Sequence, residues 1–332
     1  MAKKTTRKKA TSVADEAEQT TPQPPTKKQP RKKPAPPSPL PKKRPWSEMA
    51  KDSAERDITK RFSQDVRKIV DNAKIDLDKE CLIFCFDPDL GISAFDLNRL
   101  FQAISRQNAD QSKNVTLMIC SPGGSIEPAF QISKLCKNYA SETFRVIVPR
   151  QAKSAATLIA LGADEIHMGP LSQLGPIDPQ IGGLPALGIA RALDRIAELS
   201  EDHPGSADMF AEYLHKALTV EQIGFCERIS ESAEQYAERL LGNKQDLPKK
   251  AALIAHTLVH DYKDHGFVID IDEARKHFGD SLVVTDSIWT TLAESIYSLF
   301  ETVNLYLSIH RQKRLLVLGD LADGAIIFDR RA

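Results

Sequence analysis

Short apolar runs alternate with amphipathic ones through the first half of the chain. Cys81-Leu82-Ile83-Phe84-Cys85-Phe86, Val115 to Ile119, Phe144 to Val148 and Glu165 to Met168 read as strands. Between them, residues 93–107, 125–139 and 154–162 read as helices, the first carrying Phe95, Leu97, Leu100, Phe101 and Ile104 at helical spacing. Strand and helix alternate across short turns, so a parallel sheet with right-handed crossovers is the economical arrangement. Residues 50–76 form an amphipathic helical lead-in. Beyond residue 187 the pattern is mostly helical to about residue 263, followed by a short helix at 270–278 and a strand at 282–285. The longest amphipathic stretch, residues 286–309, places Ile288, Leu292, Ile296, Leu299, Phe300, Val303 and Leu307 on one face, as a core or subunit contact requires.

Charge changes the picture at one end. The 332 residues balance to zero, yet residues 1–47 hold thirteen Lys/Arg against three Asp/Glu, and the rest of the chain offsets this with −10. Ten of the twenty prolines fall in the same segment. A stretch so rich in Pro and Lys cannot bury enough apolar surface to offset its ordering entropy, so residues 1–47 read as a disordered basic tail. Its one aromatic, Trp46, limits the tail to weak electrostatic contact with nucleic acid or acidic proteins. No run approaches 18 apolar residues, so no membrane span is expected. Five cysteines, mostly within apolar runs, fit buried free thiols and a cytoplasmic location.

Two turns carry the chemistry. Ser121-Pro122-Gly123-Gly124 and Ala152-Lys153-Ser154-Ala155-Ala156-Thr157 each follow a strand and open a helix. A serine at such a corner exposes its hydroxyl, and a Gly-Gly corner lets backbone N–H groups approach a substrate. Together they can supply a nucleophile and an oxyanion hole; taken singly, they are a simple turn and a helix N-cap.

These segments, with Leu158-Ile159-Ala160-Leu161-Gly162-Ala163-Asp164-Glu165-Ile166 after them, resemble the Clp protease/crotonase superfamily. The block Gly169-Pro170-Leu171-Ser172-Gln173-Leu174-Gly175-Pro176-Ile177-Asp178-Pro179-Gln180 resembles one branch, the serine dehydrogenase proteinases related to signal peptide peptidase A. The likeness covers residues 80–285 and is most specific at 115–180. It implies an α/β fold built as a repeated ββα spiral with a parallel sheet, plus C-terminal helices. It also implies a serine peptidase, with Ser154 as nucleophile and an oxyanion hole from the N–H groups of Ala155 and of Gly123 or Gly124.

The general base is less determined. Where the Clp proteolytic subunit carries a histidine after the nucleophile, this chain has Asp178. Signal peptide peptidases use a later lysine, which makes Lys216 a candidate, ahead of the predicted helix 222–242; Lys153, adjacent to the serine, ranks below it. His265 is the alternative base, in a rearranged triad with Ser154 and with Asp178 as orienting carboxylate, since triads are defined by geometry rather than order. His256 and His260 stand four apart, but Thr257-Leu258-Val259 fill the gap where HExxH chemistry needs a glutamate, so no metal is expected. No cofactor is expected either.

The resulting division is a tail (1–47), a Clp/crotonase-like serine peptidase domain (48–285), and a C-terminal helix and tail (286–332) serving as oligomer or core contact. The expected activity is hydrolysis of peptide bonds through an acyl-enzyme at Ser154, on peptide or protein substrates, within a homo-oligomer. The alternatives are a non-catalytic binding module of the same fold and a crotonase-type acyl-CoA enzyme. No phosphate-binding Gly-x-x-x-x-Gly-Lys-Ser/Thr loop is present, so no ATPase module is encoded.

Overall fold

The computed structural model describes residues 43–329 apart from 88, 182, 183 and 218. The tail expectation falls outside the described residues as far as residue 42, but ordered chain begins within its expected span, since α1 (Trp46–Asp52) is helical. Then follow α2 (Glu55–Asn72), β1 (Glu80–Phe86), α3 (Ala94–Gln107), β2 (Asn114–Cys120), α4 (Ile126–Tyr139), β3 (Phe144–Val148), β4 (Gln151–Ala152), α5 (Ala155–Leu161) and β5 (Glu165–Met168). Short strands β6 (Gln173–Leu174), β7 (Gln180–Ile181) and β8 (Leu184–Pro185) precede α6 (Ala186–Asp202), a 3-10 turn at Pro204–Ser206, α7 (Ala207–Ala217) and α8 (Val220–Leu241). Next, α9 (Ala251–His256) runs on into a π-helical turn at Thr257–Asp261. The chain ends through α10 (Ile271–Phe278), β9 (Val283–Val284), α11 (Ile288–Arg311), β10 (Lys313–Gly319) and β11 (Ala325–Asp329).

The main sheet has the order β11-β10-β1-β2-β3-β5-β9. It is parallel from β1 to β9, as the alternation predicts, and antiparallel where β10 pairs with β1 and β11 with β10. Both faces are covered. Cys81, Ile83 and Cys85 of β1 and Val115, Leu117 and Ile119 of β2 face a core shared with α3, α4, α5, α8 and α10. Leu82, Phe84, Phe86, Met118 and Cys120 face the opposite core, under α2 and α11. Period-2 alternation thus divides each strand between two apolar layers, which is why these strands read as unbroken hydrophobic runs.

The α11 stripe makes the core contact that was one of its two expected roles, while the end of the chain departs from the sequence reading. The stripe on α11 is spent within the chain: Leu292, Ile296, Phe300, Val303 and Leu307 are buried against the sheet and α2. Residues 313–329 are not a tail but a hairpin that extends the sheet beside β1, with Phe84 opposite Gly319 and Phe86 opposite Val317. All five cysteines are buried free thiols, and no helix among the described residues is long and apolar enough to cross a membrane.

Candidate active site

The cleft forms beyond the carboxyl ends of β2 and β3, where open parallel sheets bind ligands. Past the sheet the two chains stay paired: the Ser121 N–H donates to Gln151 O at 2.9 Å and the Lys153 N–H to Ser121 O at 3.1 Å. This pairing sets the Gly-Gly turn against the Ser154 corner. Gly123 has φ +114°, and a Cβ there would stand 2.7 Å from Ser154 Cβ and 2.9 Å from Lys153 O. Gly124, at φ +145°, is backed by Ile92, whose N lies 2.2 Å from where a Cβ would be. The Ile92 N–H donates to Gly123 O at 2.7 Å, and the Ser125 N–H to Ile92 O at 2.8 Å, fixing which way the turn's peptides face. The Gly123 N–H donates to Ser121 Oγ at 3.2 Å.

Ser154 joins β4 to α5 at φ 50°, ψ −119° and makes no side-chain cap hydrogen bond. That backbone conformation is sparsely populated for a residue with a Cβ and costs on the order of 1–3 kcal/mol. The hydroxyl is therefore not spent on capping the helix, and the serine is 8% exposed.

Ser154, Gly124, Pro179, Gln180 and His265 line one cleft of about 430 Å³. Across it, His265 Nδ1 lies 2.7 Å from Asp178 Oδ1, and Gln180 Nε2 donates to Asp178 Oδ2 at 2.9 Å. Asp178 is 5% exposed. Its carboxylate, hydrogen-bonded to the ring, raises the His265 pKa above the ordinary histidine value, against the opposing effect of burial. With Nδ1 taken by Asp178, Nε2 is the ring nitrogen left for another partner.

The loop carrying His265 is tied down from the residue before Ser154. Lys153 Nζ donates to Gly266 O at 3.1 Å and to Phe267 O at 2.8 Å, immediately after the histidine. Gly175 makes room for this reach, since a Cβ there would stand 2.6 Å from Lys153 Cδ. Burial lowers the lysine's pKa. Thr157, fully buried, has its hydroxyl 2.7 Å from Ala152 O and 2.8 Å from Gly175 O, and accepts the Gly175 N–H at 3.1 Å. It anchors α5 to the segment that reaches Asp178.

Of the residues the sequence nominates, Ser154, Gly123, Gly124, Ala155, Asp178 and His265 gather in or beside this cleft. Lys216 does not: it lies on α7, 71% exposed, with Nζ 2.7 Å from Glu212 Oε1. Sequence reasoning missed Gln180, although it stands two residues from Asp178. It also missed Phe225 and Ile229 of α8, which form an apolar wall of the cleft. Their spacing of four residues on one predicted helix was the available signal.

Comparison with known proteins gives an uncharacterized protein of Methanocaldococcus jannaschii that is 31% identical over 211 residues, covering 63% of this chain and 65% of that protein. A second from the same organism is 30% identical over 175 residues, covering 49% of this chain and 54% of that protein. The chain thus spans less than two thirds of the length of either relative. Among solved structures, the 1510-N membrane-bound stomatin-specific protease in complex with a substrate peptide is 14% identical with a TM-score of 0.41, over 76% of this chain and 89% of that one. ClpP1 from Listeria monocytogenes is 14% identical with a TM-score of 0.39, over 68% and 98% respectively. A family match runs over residues 91–314, from Gly91 beside the Gly-Gly turn, through α11, into β10. The chain belongs to the ClpP-like SDH-type serine proteinases.

Proposed function

We propose that this protein hydrolyses peptide bonds through an acyl-enzyme at Ser154, with His265 as general base and Asp178 as its orienting carboxylate. The observation that carries this reading is the 2.7 Å contact of His265 Nδ1 with Asp178 across the cleft that Ser154 lines. Nε2 takes the Ser154 proton as Oγ bonds to the carbonyl carbon, and returns it to the amine as the C–N bond breaks. Water then attacks the acyl-enzyme, gives its proton to Nε2, and restores the serine as the acid leaves. The N–H groups of Gly124 and Ala155 receive the oxyanion, because the Gly123 N–H already bonds Ser121 Oγ. Donors of this kind lower such barriers by about 3 kcal/mol each. Lys153 is a positioning residue, its ammonium committed to two loop carbonyls.

An aspartate at position 178 favours a non-catalytic module only where no histidine accompanies it, and His265 stands 2.7 Å from that carboxylate in the cleft that Ser154 lines. The apolar wall of Phe225 and Ile229 suits an extended peptide with an apolar side chain near the scissile bond. A fluorophosphonate probe should add one adduct per chain, mapped to Ser154 by peptide mass and absent from Ser154→Ala. A folded sample that takes up no probe, or takes it up elsewhere, contradicts the reading.

A further inference from the structure

Where α8 meets α9, the structure gathers three side chains that the catalytic reading does not use. Glu234 of α8 faces His256, the last residue of α9, and His260 in the π-helical turn that continues it. Four residues apart on one helical path, the two imidazoles fall on the same side. His256 Nδ1 lies 3.3 Å from Glu234 Oε1, and His260 Nε2 lies 2.9 Å from Glu234 Oε2. The rings stack, with centroids 4.5 Å apart and an interplanar angle of 25°.

We propose that Glu234, His256 and His260 bind one divalent transition-metal ion of the zinc class. The ligand atoms already lie within 4.8 Å of one another. Ligands placed about 2.0–2.2 Å from a tetrahedral zinc stand roughly 3.4 Å apart, so small side-chain rotations complete the set. Two imidazoles and a carboxylate suit zinc, cobalt or nickel better than magnesium or calcium. The fourth position falls to water, and an ion can reach the site because the His256 side chain is 51% exposed.

The site would also act on the fold. The Leu258 carbonyl, between the two histidines, accepts the Ile177 N–H at 2.9 Å, one residue before Asp178. His260 precedes His265 by five residues, and α8 carries Phe225 and Ile229. An ion bound here clips the apolar wall of the cleft to the turn behind its base and orienting carboxylate. The site stands independently of the peptidase reading.

The test uses the full chain, untagged and stripped with EDTA, titrated with zinc by calorimetry and with cobalt by visible absorption. One equivalent per chain should bind, with cobalt giving the bands of a low-coordinate nitrogen–oxygen site and zinc raising Tm. The His256→Ala/His260→Ala double variant should bind at least about tenfold more weakly, and its Tm should not respond to zinc. Glu234→Gln, which keeps size and packing, should weaken binding as well. Equal zinc affinity in wild type and the double variant, or no saturable binding by wild type, overturns the proposal. A thiolate-to-cobalt charge-transfer band would place the ion on the cysteines and overturn it too.

Discussion

Ser154 and the Gly123-Gly124 turn continue two adjacent parallel strands, and the elements beneath them are buried throughout: every residue of α5 lies in the core. His265 and Asp178 stand 87 residues apart, on loops outside the main sheet. Three groups of hydrogen bonds hold that second pair: Lys153 to Gly266 and Phe267, the Ile177 N–H to Leu258 O, and Leu174 with Ile269. Ser154 is positioned by packing, where a misplaced atom meets a clash. His265 and Asp178 are positioned by hydrogen bonds, where a lost contact loosens a loop. On the proposed reading, the reactive group is rigid by construction and its activation depends on how well a few polar contacts hold.

The largest effect should follow from the contact within the second pair. Asp178→Asn removes the carboxylate that fixes the His265 tautomer, and the rate of probe labelling at Ser154 should fall by about 10³–10⁴-fold. The same carboxylate raises the His265 pKa, and only the neutral ring can act as base. Wild-type labelling should therefore fall as pH drops through a value above the ordinary histidine pKa of about 6.5. In Asp178→Asn the remaining activity should fall off at lower pH. Stability carries the linked sign: a raised folded-state pKa contributes below the unfolded value and fades as pH rises through the folded one. The Tm difference between wild type and Asp178→Asn should accordingly shrink from pH 6 to pH 9.

Gly123→Ala tests the packed half. Its Cβ would meet Ser154 Cβ at 2.7 Å with φ at +114°, so both overpacking and backbone strain apply. A loss of about 2–4 kcal/mol in denaturant unfolding is expected, together with loss of labelling. A stable variant would mean that the turn is less constrained than the geometry requires. Thr157→Val should cost less, about 1–3 kcal/mol, because it keeps the volume but strands the Gly175 N–H. Its labelling should also slow, since the segment leading to Asp178 loses its tie to α5.

The same division separates what could be read from the sequence. Strand and helix from Cys81 to Met168 show in the chain because each strand is apolar on both faces and each helix on one. The Gly123-Gly124 turn shows because glycine suits positive φ so close to a neighbouring backbone, and the Ser154 corner because an apolar helical run follows it. The β10–β11 hairpin was missed, although Leu315-Leu316-Val317-Leu318 is a continuous apolar run ahead of Gly319. It pairs with β1, more than 200 residues earlier, and no local pattern announces a partner so distant. The choice between Lys216 and His265 was likewise out of reach. It depends on where α7 and the 262–269 loop come to rest, and both residues carry suitable chemistry at suitable positions in the chain. Position 178 was informative only in part: an aspartate in place of a histidine marks a departure, but does not say that His265 comes to lie against it.

The most direct test of the account compares the rate of fluorophosphonate labelling at Ser154 in wild type, His265→Ala and Lys216→Ala. Removing the base of such a triad costs on the order of 10³-fold or more, so His265→Ala should label at least that much more slowly, with its fold intact by circular dichroism. Lys216→Ala should label at the wild-type rate. Unchanged labelling in His265→Ala would contradict the triad, and a collapse in Lys216→Ala would move the base to α7.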